Sequence, residues 1–377
     1  MPENQLGMTA VEILTDLVAF PTYNDIEQAA EYIYGRLAPL GVHCRIVKRD
    51  GKTKYVVAEM GQGEPSLIFN GHIDTVPPGD EEGWSRPPFG ALQEEGRLWG
   101  RGSADAKGPL AAQIAAFESL VGKLPGGRLV LLAVGEEETG GYGTQAALED
   151  GIRAQACVVG EPTGLEIHLA HKGVLRATIT VQGKAAHAST PQLGRNAVMG
   201  MAKILPALQE LHKELAQRWE KFTGTPSLVV TTICGGEAEN VVPESCSITL
   251  DRRLIPGENG QEAWRELEKV VEEARVRGLD VSLQHLKTIP PAYTPPEAAI
   301  IEAAQTSGEA ALGRRPRLEG FNACSDMTYF NLEEIPTFIF GPGEITVAHQ
   351  VDESVPVDQV KEAAAFYRQL AYTWLAR

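Results

Sequence analysis

Four short segments of this chain, residues 66–70, 128–134, 156–160 and 336–341, are apolar almost without a break. A strand with one wet face alternates apolar and polar side chains, so a continuous run marks a strand buried on both faces. Burial on both faces needs covering layers, and the intervening sequence supplies helices. Val11, Leu14, Leu17 and Val18 form an apolar stripe behind a capping box of Thr9 and Glu12, ending before Pro21. Further helices are predicted over 25–37, 110–120 and 297–312 and from Val357 onward, with strand-like runs at 44–48 and 55–59. Buried strands alternating with helices specify an α/β domain. Ligands in such a sheet sit beyond the carboxyl ends of the strands, so the residues after each apolar run are where chemistry is expected.

The middle third has a different rhythm. Strands at 174–181, 227–233, 246–254 and 281–285 are interleaved with helices at 196–214 and 261–276. This βαββαβ order is the ferredoxin-like unit. Pro290, Pro291, Pro295 and Pro296 mark the junction at which the α/β pattern resumes. The expected organisation is a discontinuous α/β domain of residues 1–172 and 287–377, a mixed sheet flanked by helices, interrupted by a ferredoxin-like α+β insert of residues 173–286.

Composition narrows the function. The net charge of −16, from 50 acidic against 34 basic residues, argues against a nucleic-acid partner, which would need clustered Lys and Arg. No apolar stretch approaches the length of a membrane span, and residues 1–10 lack the pattern of a secretory signal. The five cysteines, Cys44, Cys157, Cys234, Cys246 and Cys324, are scattered, with no CxxC pair. They suit a reducing cytoplasm, exclude a thiolate zinc site and read as small buried apolar residues.

Polar clusters follow the apolar runs. His72 and Asp74, two apart on extended backbone, can face one site, although a surface turn explains the same pair. Asp105, in the glycine-rich stretch 100–108, reads either as the N-cap of the next helix or as a carboxylate bridging two metal ions. Glu136, Glu137 and Glu138 close the run 128–134; three adjacent carboxylates repel one another and are either solvated or bound to cations. Glu161 closes 156–160 in the same way, and His349 lies in the loop after 336–341. Histidine and carboxylate without cysteine suit catalytic zinc, cobalt or manganese better than a structural zinc.

The segments GHIDTVPPGD, GRGSADAKG, EEETGG, GEPT, GKAAHAST and AHQVDE occur in one order along nearly the whole chain. In these it resembles the M20 family of metallopeptidases and deacylases, the group of acetylornithine deacetylase, succinyl-diaminopimelate desuccinylase and carboxypeptidase G2. The resemblance implies a zinc-peptidase-like catalytic domain and an insert that forms a homodimer. It implies two Zn2+ ions, or Co2+ or Mn2+, with His72 and Glu161 on one, Glu138 and His349 on the other, and Asp105 bridging. Asp74 would orient His72. Glu136 takes the family's Asp position, so the spacing to Gly140 makes Glu137 the general base. His187 would donate to the oxyanion in the partner subunit's site, and Asn240 and Arg253 would contact substrate; a surface ion pair is the other reading of Arg253.

Three departures bear on substrate. Ala106 stands where the family commonly has Met, a packing change. Strict desuccinylases carry a basic residue where this chain has Val174, which speaks against succinyl-diaminopimelate. Glu161, in place of Asp, resembles the deacylases more than the di- and tripeptidases. The expectation is a cytoplasmic, homodimeric, two-metal amidohydrolase acting on a small N-acyl amino acid, with a carboxypeptidase or dipeptidase acting on short peptides as the alternative.

Overall fold

A computed structural model describes all residues, Met1–Arg377. The chain forms two compact units. One comprises Met1–Leu169, Tyr293–Glu319 and Ser325–Arg377, and the other Ala170–Ala292 with Gly320–Cys324. The strands in chain order are β1 (His43–Arg49), β2 (Lys52–Gly61), β3 (Ser66–His72), β4 (Leu92–Glu94), β5 (Arg97–Trp99), β6 (Arg128–Val134), β7 (Ala156–Gly160), β8 (Ile167–His171), β9 (Gly173–Gln182), β10 (Ser227–Gly235), β11 (Ser245–Leu254), β12 (Asp280–Ile289), β13 (Ala292–Tyr293), β14 (Leu318–Phe321), β15 (Thr337–Phe340) and β16 (Ser354–Pro356).

The central sheet has the order β1-β2-β6-β3-β7-β15-β8-β13, with β14 paired to β8. Its middle four strands, β6, β3, β7 and β15, are mutually parallel. They are the four apolar runs of the sequence. β3, β7 and β15 are buried at every residue, and β6 at every residue but its first. Helices Glu3–Val18, Lys107–Leu120, Ala299–Leu312 and Val357–Leu375 pack on one another, with Lys107–Leu120 and Val357–Leu375 against β3 and β6, while Met327–Leu332 packs on β15 and β7 and Glu27–Leu37 and Tyr142–Glu149 pack on β2. The C-terminal helix is keyed to the sheet by aromatic packing. Phe366 stacks on Phe340 with ring centroids 3.7 Å apart, and Tyr367 lies 5.4 Å from Phe69 and donates its hydroxyl to the Phe340 carbonyl.

The other unit carries a four-stranded antiparallel sheet of order β10-β11-β9-β12. Read in chain order within the insert, this is 2-3-1-4, the arrangement of the ferredoxin-like βαββαβ unit. Helices Leu205–Leu215 and Gly260–Val276 bury Leu208, Leu211, Leu215, Leu267 and Val271 in a core shared with Leu175, Ile179, Ile248 and Leu250.

Several local expectations are corrected. The first helix begins at Glu3, with Pro2 at the cap, so Thr9 lies inside it and no capping box forms. The buried stripe already starts at Leu6 and nothing between Glu3 and Val18 breaks it. The helix expected over 196–214 is two, Ala197–Met201 and Leu205–Leu215. Pro206 opens the second, where its missing N–H costs nothing, and it could not have continued the first. The cysteines are not uniformly buried: Cys157 and Cys246 are, Cys44 and Cys324 are half-buried, and Cys234 is exposed on β10. The small sheet β16-β5-β4, strand β8 and helix Tyr142–Glu149 were not anticipated. No helix is long and apolar enough to cross a membrane.

Removing the ring that locks the last helix onto β15 tests this packing. Phe366→Ala is expected to cost about 3–5 kcal/mol by chemical denaturation, the range for a buried aromatic deletion.

Candidate metal centre

Five residues from distant parts of the sequence converge where the central parallel strands end. His72 is the last residue of β3, Glu161 follows β7 directly, and Glu138 lies in the single turn Glu137–Gly140 after β6. His349 lies in the loop after β15, and Asp105 precedes helix Lys107–Leu120. Asp105 does not cap that helix: the cap is Ala106, and it makes no side-chain capping bond.

Asp105 joins two candidate ligand groups. Its Oδ1 is 3.0 Å from His72 Nε2, and its Oδ2 is 3.3 Å from His349 Nε2. Glu161 Oε1 lies 3.9 Å from His72 Nε2, and Glu138 Oε1 lies 3.0 Å from His349 Nε2. Two three-residue groups result, His72–Asp105–Glu161 and Asp105–Glu138–His349, each with ligand atoms within 4.8 Å of one another.

Asp74 acts on both sides of the centre. Its backbone carbonyl accepts from His72 Nδ1 at 2.8 Å, which leaves Nε2 facing the cluster. Its carboxylate stands 3.7 Å from that ring nitrogen and accepts the backbone N–H groups of Glu137 and Glu138, each at 3.2 Å. The orientation of His72 therefore comes first from the main chain of Asp74, while its side chain holds the carboxylate turn.

The three adjacent glutamates have different surroundings. Glu136, in left-handed backbone at φ 60°, pairs with Lys54. Glu138 faces His349, and Glu137 lies half-buried between them in sequence. Burial pushes the Glu137 carboxyl well above its ordinary range, and Asp326, Glu138 and Asp74 push the same way against the pull of His72. Glu161 is raised in the same manner by burial and by Asp105.

The histidines show what the carboxylates demand. Burial alone would lower His72, but Asp105, Glu161 and Asp74 override it and raise it well above the usual range. Asp105 and Glu138 push His349 up to about 10. A divalent cation at each group would take the place of a ring proton and leave both histidines neutral as ligands. The all-oxygen-and-imidazole donor set suits zinc, cobalt or manganese.

Some participants were not singled out from sequence. Asp326 is buried, and Thr144 donates to its Oδ2 at 2.6 Å; Asn70 donates to Thr144 at 3.2 Å. Burial pushes the Asp326 carboxyl up to about 6. Arg101 and Glu353 are also buried, within the GRGSADAKG and AHQVDE segments. The signal available for both was a charged side chain four residues from a candidate ligand, Asp105 or His349, within the same segment.

His187, Asn240 and Arg253 belong to the other unit. His187 and Asn240 are exposed and neighbours, because His187 bridges Val241 and the Ala188 N–H donates to the Asn240 carbonyl at 2.9 Å. The Ser189 N–H donates to His187 Nδ1 at 3.2 Å, and the Ser189 hydroxyl lies 2.7 Å from the same ring nitrogen. Arg253 lies near the far end of β11, donating to Asp251 Oδ1 at 2.7 Å, and Asp251 Oδ2 accepts from Arg176 at 2.9 Å. The surface ion pair is thus formed.

The sequence profile of Peptidase family M20/M25/M40 matches residues 68–373, a span that contains every residue of both ligand groups. The chain belongs to the M20 family. It is 32% identical to the succinyl-diaminopimelate desuccinylase of Cereibacter sphaeroides over 98% of each chain. Its fold is similar to that of an M20 metallo-carboxypeptidase from Sulfolobus solfataricus, with a TM-score of 0.82 at 21% identity, covering 98% of this chain and 99% of that one. A dinuclear metal binding M20 peptidase from Bacillus subtilis aligns with a TM-score of 0.76 at 17% identity, over 99% of each chain. This M20 protein is a metallohydrolase of that fold.

The turn that bears Glu137 and Glu138 depends on Gly141. Its φ is 69°, and a Cβ there would lie 2.6 Å from Asp326 Oδ1 and press on the Tyr329 ring, whose hydroxyl donates to the Gly140 carbonyl. Gly141→Ala is expected to shift this turn and weaken divalent-cation binding by about tenfold or more. Calorimetric titration with cobalt measures it, and unaltered binding would show that the turn tolerates displacement.

Proposed function

We propose that this protein hydrolyses the amide bond of N-acyl amino acids, releasing a carboxylate and a free amino acid, at a centre of two Zn2+ ions. One ion is held by His72, Glu161 and Asp105, the other by Glu138, His349 and Asp105. Co2+ and Mn2+ suit the same donors. The observation that carries this reading is the Asp105 carboxylate, with one oxygen directed at each histidine. The Bacillus subtilis peptidase, described as binding a dinuclear metal, supports two ions.

Two divalent ions held by these residues would lower the pKa of a water and polarise the scissile carbonyl. Glu137 takes a proton from the attacking water and delivers it to the leaving nitrogen. Asp74 keeps the His72 ring aligned and fastens the Glu137 turn through two backbone N–H groups. His187 offers its Nε2–H to the developing oxyanion. Asn240 assists in binding substrate, and Arg253, once released from Asp251, matches a substrate carboxylate.

Deacylation is favoured over peptide hydrolysis by the full-length likeness to a desuccinylase. Val174 argues against a succinyl group, but it lies directly opposite Arg253 in the β9–β11 register, which supplies a guanidinium beside that position. The inserted unit and catalytic domain are read as residues 173–286 and as 1–172 with 287–377. A homodimer through the insert is supported by β10, an edge strand exposed from Val229 to Gly235 with Val229, Val230 and Ile233 in the open. Long apolar edges are seldom left unpaired.

A panel of N-acetylornithine, N-succinyl-diaminopimelate and dipeptides, assayed with zinc, cobalt and manganese, tests the substrate class. The acyl amino acids should be cleaved fastest; dominant dipeptide cleavage would replace this reading with a peptidase. Glu137→Gln should keep its metal and lose about 10²–10⁴-fold in kcat. If His187 serves the partner's site, co-expressed His187→Ala and Glu137→Gln chains, each inactive alone, should regain activity in the mixed dimer. Absence of complementation would place His187 in its own subunit's site.

A further inference from the structure

Arg101 and Glu353 are separated by 252 positions and almost wholly buried, at 2% and 1% exposure. Arg101 Nη1 donates to Glu353 Oε2 at 2.7 Å and to the Gln350 carbonyl at 3.1 Å, and Nη2 donates to the His349 carbonyl at 3.4 Å. Glu353 Oε1 accepts the backbone N–H groups of Ala104 at 3.0 Å and Asp105 at 3.1 Å. The Gly100 N–H donates to the Glu353 carbonyl at 2.8 Å, and the guanidinium lies 5.0 Å from the centre of the Trp84 ring. The pair therefore holds the main chain of two candidate ligand residues, Asp105 and His349.

The two ligand groups do not depend on this grip equally. His72 and Glu161 end or follow buried parallel strands and are 2% and 4% exposed, so the sheet's own ladder positions them. His349 has no strand under it. Its backbone is left-handed at φ 63°, and its side chain is about half exposed. A non-glycine residue keeps that conformation only where its surroundings impose it, and Arg101 holds its carbonyl.

We propose that Arg101 and Glu353 are positioning residues that bear more heavily on the cation site formed by Asp105, Glu138 and His349 than on the site at His72 and Glu161, because Asp105 is common to both whereas the Arg101 hold on the His349 carbonyl serves the first alone. This rests on the two-cation reading above. A buried ion pair is in general weak support for stability; here its work is to align a ligand loop. Guanidinium is suited to that because one planar fork serves a carboxylate and two carbonyls at once.

The test is Arg101→Met combined with Glu353→Gln. Glutamine keeps an acceptor for the Ala104 and Asp105 N–H groups, methionine fills the space against Trp84, and no buried charge is stranded. Metal-free protein is titrated with Co2+ by calorimetry, with metal per chain counted after gel filtration and thermal midpoints recorded without metal. Wild type should take two equivalents. The double variant should keep the first within about twofold of wild type and lose about 10- to 100-fold on the second, the range for outer-shell partners of metal ligands. Arg101→Lys, which keeps the charge beside Glu353 but not the fork, should show a smaller loss with the same selectivity. Two unchanged equivalents would overturn the proposal. So would equal weakening of both, and a falling metal-free midpoint alongside it would mark the pair as merely structural. A wild-type protein that takes no more than one equivalent would instead overturn the two-cation reading beneath it.

Discussion

Asp105 presents one carboxylate oxygen to His72 and the other to His349, at 3.0 and 3.3 Å. Much of the surrounding architecture serves to hold that carboxylate between two imidazoles. Despite burial, the two histidines keep its acid form well below the usual carboxylate range. Glu138 and Glu161 stand on either side of it, 3.0 Å from His349 and 3.9 Å from His72, so three carboxylates crowd two imidazoles. An arrangement of this kind is costly for a protein to bury without cations. The donor set and the spacing suit a pair of them.

Holding the cluster requires main-chain contacts more than side-chain ones. Asp74 orients His72 with its carbonyl and gathers the Glu137 and Glu138 amides with its carboxylate. Glu353 gathers the Ala104 and Asp105 amides, and Arg101 takes the carbonyls of His349 and Gln350. Glu136 and His349 occupy left-handed backbone at φ 60° and 63°. Such residues cost about 1–3 kcal/mol each, and they persist where the surrounding contacts over-determine them. Buried charged groups bonded to backbone supply those contacts here.

The inserted unit shows the same economy in a different setting. Its four-stranded sheet buries one helix-covered core, and the loop from β9 is tied to the segment before β11 through the His187–Val241 bridge. That bridge makes neighbours of His187 and Asn240, two exposed residues more than fifty positions apart in sequence. The Ser189 amide and hydroxyl both meet His187 at its Nδ1.

The fold class was legible because its physical cause is local. A strand buried on both faces must be apolar at successive positions, and the four runs so marked are the central parallel strands. The insert was legible through its order of elements, and the residues that converge were legible through their places after strands. Helix starts and breaks were less so, since a cap such as Thr9 is silent when apolar periodicity runs through it. What the sequence determined was the set of residues and the strand ends that carry them. Only the tertiary structure decided that Asp105 faces two histidines, that Glu136 turns to Lys54, and that Arg101 meets Glu353 across 252 positions. Those outcomes depend on side chains brought together by the closing of the sheet, and no local propensity records them.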